Sequence, residues 1–228
     1  AEYGFNPMPT FKRIPWHENL EEDDMVLVTH KYNVHVQSRT ASVKWLAEIV
    51  HRNWAPINTE TAKRIGVKTG DLIRVESPVG HAVTKAYVTE GIHPKVIAIS
   101  HGCGHWGYGR LARLKLREKG GQFGAQEDPD LNNVWWEDNG VHAAAIIPPV
   151  ADPIGGSAGW YDAVVKVTKA QPGDKYGDVK ASWDKHVAWF KKTMGFTYVG
   201  ADHRKMHPEM AAWAGPDSVE PKRPSGHH

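Results

Sequence analysis

The stretch from residue 58 to residue 100 constrains the fold most, because short elements alternate there with turn residues in a regular order. Asn58 or Thr59 begins a short helix over 60–65, and Gly66 ends it. Three predicted strands follow at 72–76, 82–88 and 95–100, separated by turns that contain glycine and proline. A helix, a hairpin and a third strand in this order favour a small closed β-barrel over a parallel α/β sheet.

Outside this stretch, local patterns predict three more strands and two more helices. Apolar runs at 25–29, 141–150 and 163–167 are typical of buried strands. Ser42 is the predicted N-cap of a helix whose apolar face comprises Val43, Leu46, Ile49 and Val50. Ser182 is the predicted N-cap of an amphipathic helix whose inner face comprises Trp183, Val187, Phe190 and Met194.

We predict three parts from these elements. An extended lead-in covers 1–24, a barrel domain covers 25–170, and a linker, an amphipathic helix and an extended tail cover 171–228. The ten tryptophans are spread over the whole chain. Tryptophan is common both in aromatic cores and at interfaces with large partners, and the sequence leaves both interpretations open.

Composition excludes several classes of function. The chain has 28 Lys plus Arg against 26 Asp plus Glu, a net charge of +2 without a basic stripe, so we predict no nucleic-acid partner. The one cysteine, Cys103, excludes an internal disulfide and an all-cysteine iron–sulfur cluster held by this chain alone. The sequence contains no Gly-x-Ser-x-Gly elbow, P-loop or dinucleotide fingerprint, and we predict no catalytic residue in it.

A polar strand around residue 35 follows the predicted strand at 25–29. It carries a dense set of hydrogen-bonding side chains: His35, Gln37, Ser38, Arg39 and Thr40. Such a set can bind phosphate or a polar ring system, and it is equally typical of a solvated surface strand.

A glycine-rich loop, residues 101–109, follows the strand at 95–100. Its four glycines predict unusual backbone angles or the close approach of another molecule. His101, Cys103 and His105 are residue types that bind metals, but no fourth ligand stands at a recognisable spacing. We therefore predict no metal site and expect these side chains to line a loop that faces a ligand.

Several short motifs in a fixed order identify a family resemblance. Val28-Thr29-His30-Lys31 and His35-x-Gln37-Ser38-Arg39-Thr40 come first, and Ile57-Asn58-x-Glu60-Thr61-Ala62 with Gly66, Gly70 and Asp71 comes next. Val88-Thr89-Glu90-Gly91-Ile92, the glycine-rich loop and Asp152-Pro153-x-Gly155 complete the order. Over roughly residues 25–170, this series resembles the C-terminal molybdopterin-dinucleotide-binding domain of the dimethyl-sulfoxide-reductase family. Within that family it is most similar to the polysulfide, thiosulfate, tetrathionate or arsenate reductase branch.

The resemblance implies a fold and a set of cofactor contacts. The implied fold is mainly β: a six-stranded double-psi β-barrel with short helices and a helical, Trp-rich C-terminal extension. The barrel would cover one of two molybdopterin guanine dinucleotides. The residues that match the family's cofactor contacts are Thr29, Lys31, His35, Gln37, Ser38, Thr40, Asn58, His101, Gly102, Gly104, His105, Trp106 and Asn139. The sequence has His30 and Lys31 where the family often has glycine and arginine.

The resemblance also implies partners. Molybdenum or tungsten would be held by the remaining domains or chain of the catalytic subunit. An iron–sulfur cluster would lie only in the partner. A membrane anchor and an iron–sulfur electron-transfer subunit would belong to the assembly, and a periplasmic or membrane-associated compartment is favoured. The parent enzyme would reduce or oxidise a sulfur or arsenic oxyanion or polysulfide, and the isolated chain would be inactive. The alternative is a cofactor-free barrel that serves as a scaffold in an electron-transfer complex.

Overall fold

The computed structural model of the chain describes residues 8, 11, 13–40, 43–104, 141–152 and 156–194. Their strands are β1 (Asp24–His30), β2 (Ala55–Ile57), β3 (Leu72–Ser77), β4 (Gly80–Val88), β5 (Val96–Ser100), β6 (Ala163–Lys169) and β7 (Val179–Ala181). Their α-helices are α1 (Lys44–Ile49), α2 (Thr59–Ile65) and α3 (Trp183–Met194). Short 3₁₀ helices cover Pro15–His17, Gln37–Thr40 and Ala143–Ile146.

Six of these strands form a nearly closed barrel. The hydrogen-bonded order is β2-β4-β3-β6-β1-β5, and β5 lies beside β2, so the two ends of the sheet meet. The β1–β5 and β2–β4 pairs are parallel, and the others along this path are antiparallel. β7 pairs with β4 as a short antiparallel strand. It lies beyond residue 170, where we predicted that the barrel domain ends. Because the two end strands lie side by side, each covers the edge of the other.

The barrel interior is filled by alternate residues of the strands. In β1, Met25, Leu27 and Thr29 are buried while the residues between them are half-exposed. Removing each large apolar side chain from water contributes about 1.5–3 kcal/mol to the stability of the fold. The large apolar side chains that are fully buried include Met25, Leu27, Ile57, Ile73, Val75, Ile97, Ile99, Val141, Ile146 and Val165.

Local sequence signals predicted much of this barrel correctly. The strands predicted at 25–29, 72–76, 82–88, 95–100 and 163–167 are confirmed as β1, β3, β4, β5 and β6. In α2, Asn58 is the N-cap and its side chain accepts a hydrogen bond from the amide of Glu60. Gly66 ends the helix in the left-handed conformation, with φ of 71°. Both predicted helix ends are therefore confirmed.

Three predictions of local structure are wrong. Residues 141–150 contain the 3₁₀ helix Ala143–Ile146 and no strand. The polar segment near residue 35 is a loop that leads into the 3₁₀ helix Gln37–Thr40. The N-cap of α1 is Val43, and Ser42 lies outside the described residues. An apolar or polar run without clear alternation does not distinguish a strand from a short helical turn, which explains the first two errors.

The face predicted for α1 is also wrong. Ala47 is the buried residue of this helix, whereas Val43 and Ile49 are exposed. Trp45 is 77% exposed, so α1 presents apolar side chains to solvent. A helix this short is held by its neighbours rather than by its own apolar face.

The described residues divide into two compact units. The barrel unit comprises 14–40, 43–104, 141–147 and 160–181, and the second unit contains 8, 11, 13, 148–152, 156–159 and 182–194. In the second unit, the cap predicted for α3 is confirmed, because the amide of Lys185 donates to Ser182 Oγ at 3.3 Å. Phe190 is buried as predicted, but Trp183 is 64% exposed. Within the described ranges, no helix has the length and apolar character needed to cross a bilayer.

Candidate functional site

The carboxyl ends of the parallel strands β1 and β5 bring two of the predicted segments together. His30 lies opposite Ser100 in the register, and the amide of His101 donates to the carbonyl oxygen of His30 at 3.3 Å. The loop that begins at Lys31 and the glycine-rich loop therefore leave the barrel side by side. Loops at the carboxyl ends of parallel strands are common places for ligand sites.

The two loops touch through their backbones at Gly102 and Gln37. A Cβ atom at Gly102 would lie 3.1 Å from the carbonyl carbon of Gln37, so only glycine fits there without displacing the neighbour. Gln37 has φ of 50°, a value that few residues other than glycine adopt. The two stretches therefore converge at one end of the barrel, and their contacts with a cofactor stay a prediction.

His30 and His101 form the polar centre of this region. The Nδ1 atom of each imidazole is buried, and neither has a hydrogen-bond partner among the described residues. The Tyr32 ring lies 5.1 Å from the ring of His30, and the Trp160 ring lies 5.7 Å from that of His101. Buried polar atoms usually have hydrogen-bond partners. The lack of one for these two nitrogens among the described residues is typical of a site that a ligand completes.

The surroundings of both histidines disfavour the protonated ring. Burial lowers the pKa of His30 below its ordinary value, and the neighbouring His101 lowers it further. Burial likewise lowers the pKa of His101, with a further contribution from the cationic Lys31. Both imidazoles are therefore neutral at neutral pH and can each offer one N–H donor and one acceptor nitrogen.

His35 and Thr40 brace the loop from within. His35 Nε2 lies 2.6 Å from the carbonyl oxygen of Val50, which can only accept, so Nε2 donates there. Its Nδ1 is then the acceptor for the Thr40 hydroxyl at 3.0 Å, and that hydroxyl accepts from the amide of Val36. These bonds tie the loop to the end of α1. The contacts predicted between these two side chains and the cofactor stay predictions.

The remaining predicted residues of the first loop differ in exposure. Lys31 and Gln37 are exposed and Ser38 is half-buried, so the side chains of Lys31 and Gln37 are open to a ligand. Thr29 lies on the interior face of β1 with Met25 and Leu27, and its hydroxyl is buried without a partner among the described residues.

Asn58 stands apart from this region. Its side chain caps α2 and donates to the carbonyl oxygen of Ile92 at 2.7 Å, just before β5 begins. His101 follows the other end of β5, and a strand of this length spans about 16 Å. The structure therefore does not bring Asn58 together with the two loops. Its predicted contact with the nucleotide stays a prediction.

Asn53 is a positioning residue that the sequence did not indicate. Its side chain is fully buried, and its Nδ2 donates to the carbonyl oxygens of Ser100 at 3.1 Å and Val141 at 2.8 Å. Its Oδ1 accepts from the amide of Val141 at 2.6 Å. One amide group therefore fixes both the start of the glycine-rich loop and the segment at 141. It precedes β2 in an irregular stretch, where no local pattern signals such a role.

Gly104 packs directly against residues 141–142, which Asn53 also joins to the start of the glycine-rich loop. It has φ of 80°, and an added Cβ would lie 2.2 Å from His142 N and Val141 C. Glycine is required at this position both by the backbone angle and by the space. His105, Trp106 and Asn139, which were predicted to bind the cofactor, lie outside the described residues.

A group of acidic residues at the opposite end of β1 is the one set of potential metal ligands found in the described ranges: Glu21, Asp23 and Asp24. Lys166 Nζ lies 2.5 Å from Glu21 Oε2 and 3.3 Å from Asp23 Oδ1. The lysine pairs with these carboxylates and disfavours a cation there.

Residues 25–162 match the family model of the Molydopterin dinucleotide binding domain. The chain belongs to this family. The arsenate respiratory reductase molybdopterin-containing subunit of Shewanella sp. (strain ANA-3) is 36% identical over 103 residues, which are 42% of this chain and 12% of that protein. A selenate reductase subunit from Mesobacillus selenatarsenatis is 32% identical over 172 residues, 67% of this chain and 16% of that protein. The resemblance to a family that includes the arsenate reductase branch is thereby confirmed.

The fold of this molybdopterin dinucleotide-binding domain is also found in a solved structure. Acetylene hydratase from Pelobacter acetylenicus matches it with a TM-score of 0.52 and 19% sequence identity, over 74% of this chain and 22% of that chain. The predicted fold class, a mainly β six-stranded double-psi barrel, is confirmed. The chain spans 12% and 16% of the length of the two curated relatives, so it corresponds to a small part of such proteins.

Two buried threonines test whether hydroxyls without a hydrogen-bond partner among the described residues lower the stability of the domain when no ligand is bound. Thr84 and Thr29 each bury an Oγ1 without a partner among the described residues, and valine fills the same volume. We expect Thr84→Val and Thr29→Val each to raise the free energy of unfolding by about 1 kcal/mol in urea titrations. Thr61→Val is the matched control, since the Thr61 hydroxyl donates to the carbonyl oxygen of Pro94 at 2.6 Å. Thr61→Val should lose stability because it removes this hydrogen bond. A loss of the same size in Thr84→Val would contradict the statement that the Thr84 hydroxyl lacks a partner among the described residues.

Proposed function

We propose that this chain covers one molybdopterin guanine dinucleotide of a molybdenum or tungsten oxidoreductase. The observation that carries the proposal is the meeting of the loop after β1 with the glycine-rich loop, Gly102 against Gln37. A dinucleotide needs hydrogen-bond donors and close backbone approach for its phosphates and its pterin, and this region offers both. When bound, the metal and the dithiolenes of the pterins supply the redox chemistry.

The residues present fit such a cofactor. His30 and His101 keep a buried nitrogen without a partner among the described residues, and Lys31 adds an exposed positive charge. Gly102 and Gly104 remove side chains where a ligand or another backbone must approach closely. These residues would bind and orient the dinucleotide. Lysine offers a point charge and not the two-pronged geometry of arginine, so the phosphate would be held less rigidly than by an arginine.

We further propose that the parent enzyme converts a sulfur or arsenic oxyanion or a polysulfide. The relative whose name includes arsenate reductase supports the arsenic oxyanion, and the relative whose name includes selenate reductase supports an oxyanion of an element in the same chemical group as sulfur. The remaining domains of the catalytic subunit would hold the metal, and an iron–sulfur subunit would carry electrons. We place the assembly in the periplasm or at the membrane, where a membrane anchor would be reached through that subunit.

Exposed apolar side chains of the barrel unit support a partner on this side of the barrel. Trp45, Ile49 and Val36 are 77%, 65% and 59% exposed, and they belong to α1 and to the loop that His35 ties to it. Trp160, which lies against His101, is 42% exposed. Large apolar residues around a ligand site are typical of a surface that another domain covers.

The nucleotide content of the native assembly tests the proposal. The assembly that contains this chain is purified, half of it is denatured, and the nucleotide released from each half is identified by chromatography and mass spectrometry. We expect guanine nucleotide in stoichiometric amount from the denatured half only. A cofactor-free scaffold, the alternative function, would release none. The polypeptide that co-purifies identifies the partner, and the isolated chain should show no turnover without it.

A further inference from the structure

We propose that His30, His101 and Lys31 form a proton-linked anion site, at which a phosphate of the dinucleotide binds while one imidazole takes up a proton from solvent. The inference rests on the proposed function, which supplies the anionic ligand. It adds His30 to the site and makes the affinity for the dinucleotide depend on pH.

The geometry favours an anion over a metal ion. A hydrogen bond from His101 N to His30 O joins the backbones of the two histidines, and each imidazole has a buried Nδ1 that lacks a partner among the described residues. In the described ranges, neither joins a third histidine, cysteine or carboxylate at metal-binding distance. The positive charge of Lys31 acts on His101 and would repel a cation. A phosphate oxygen can accept from the imidazole N–H groups and pair with the lysine.

The charges around the pair determine the direction of the proton linkage. Burial and neighbouring positive groups lower the pKa of both histidines, and no carboxylate among the described residues acts in the opposite direction. Tyr32 and Trp160 cover the rings. A phosphate in contact with the imidazoles raises their pKa, because an opposite charge favours the protonated imidazole. Binding therefore takes up protons, and affinity falls as pH rises.

The experiment measures binding of diguanosine pyrophosphate to the full chain by titration calorimetry between pH 6.0 and 8.0. This probe carries a pyrophosphate that does not itself titrate in that range. We expect its Kd to rise with pH, by up to about tenfold per pH unit, which is the limit for linkage to one proton. The same titration in two buffers of different ionisation enthalpy should give a net proton uptake of up to about one proton per site. The imidazole carbon signals of labelled histidine should shift toward the protonated form on binding.

Variants assign the effect to these side chains. We expect His30→Gln combined with His101→Gln to remove most of the pH dependence and to weaken binding at pH 6.5 by about tenfold or more. Lys31→Gln should weaken binding and leave the pH dependence in place. His93→Gln is the control, since His93 is exposed and precedes the other end of β5.

The outcomes separate this proposal from the proposed function. Binding with a Kd that does not change with pH, or a pH dependence that survives the double variant, overturns the proton linkage and leaves the dinucleotide site standing. The absence of binding at every pH overturns both.

Discussion

Replacing Gly104 with alanine is expected to lower the free energy of unfolding by about 4 kcal/mol or more. A non-glycine residue in the left-handed region costs about 1–2 kcal/mol, and Gly104 has φ of 80°. The larger cost comes from space, because the new Cβ would lie 2.2 Å from the backbone of Val141 and His142. The 3₁₀ helix that follows buries Ala143 and Ile146 in the core, so displacement of residues 141–142 opens the barrel interior. Chemical denaturation followed by tryptophan fluorescence measures the loss.

Gly70→Ala is the matched control for Gly104→Ala. Gly70 also has a positive φ, 93°, but an added Cβ there would meet nothing within 4 Å. This variant should lose only the cost of backbone strain, about 1–2 kcal/mol. Equal losses in the two variants would show that the glycine-rich loop does not pack against residues 141–142 in solution.

The predictable part of the fold is the part with local physical signals. The helix α2 was predicted because Asn58 caps it and Gly66 ends it, and β3 and β4 because turns that contain glycine and proline separate short strand-like segments. β2 and β7 were missed because each has three residues and is defined by pairing with β4. Pairing with a strand that is distant along the chain leaves no periodicity in so short a segment.

The candidate site likewise combines features that have a local sequence signal with features that depend on contacts between distant segments. Glycines at 102 and 104 indicated a close approach, and the structure shows that each contacts a particular backbone, at Gln37 and at Val141–His142. His30 was named as a departure from the family, which often has glycine there, and it was not among the predicted cofactor contacts. Its importance comes from its position beside His101, which depends on the parallel register of β1 and β5.

Replacing Asn53 with alanine is expected to lower the free energy of unfolding by about 4 kcal/mol, although Asn53 belongs to no helix or strand. The change removes three hydrogen bonds and leaves the amide of Val141 and the carbonyl oxygen of Ser100 without this partner in a fully buried place. Each buried polar group that loses its partner costs about 1–3 kcal/mol. Urea denaturation of the full chain measures the loss.

Two further variants show whether the cost arises from the paired amide. Asn58→Ala is the control, since Asn58 is also buried but its side chain makes two hydrogen bonds, the cap of α2 and the bond to the carbonyl oxygen of Ile92, and loss of the cap costs about 0.5–2 kcal/mol. Asn53→Asp keeps the acceptor and turns a carboxylate toward the carbonyl oxygens of Ser100 and Val141, which cannot donate. The pKa of that new carboxylate should be raised, so the variant should gain stability as the pH falls, because the protonated group can donate once more. A loss in Asn53→Ala no larger than in Asn58→Ala would mean that the glycine-rich loop is held by other contacts.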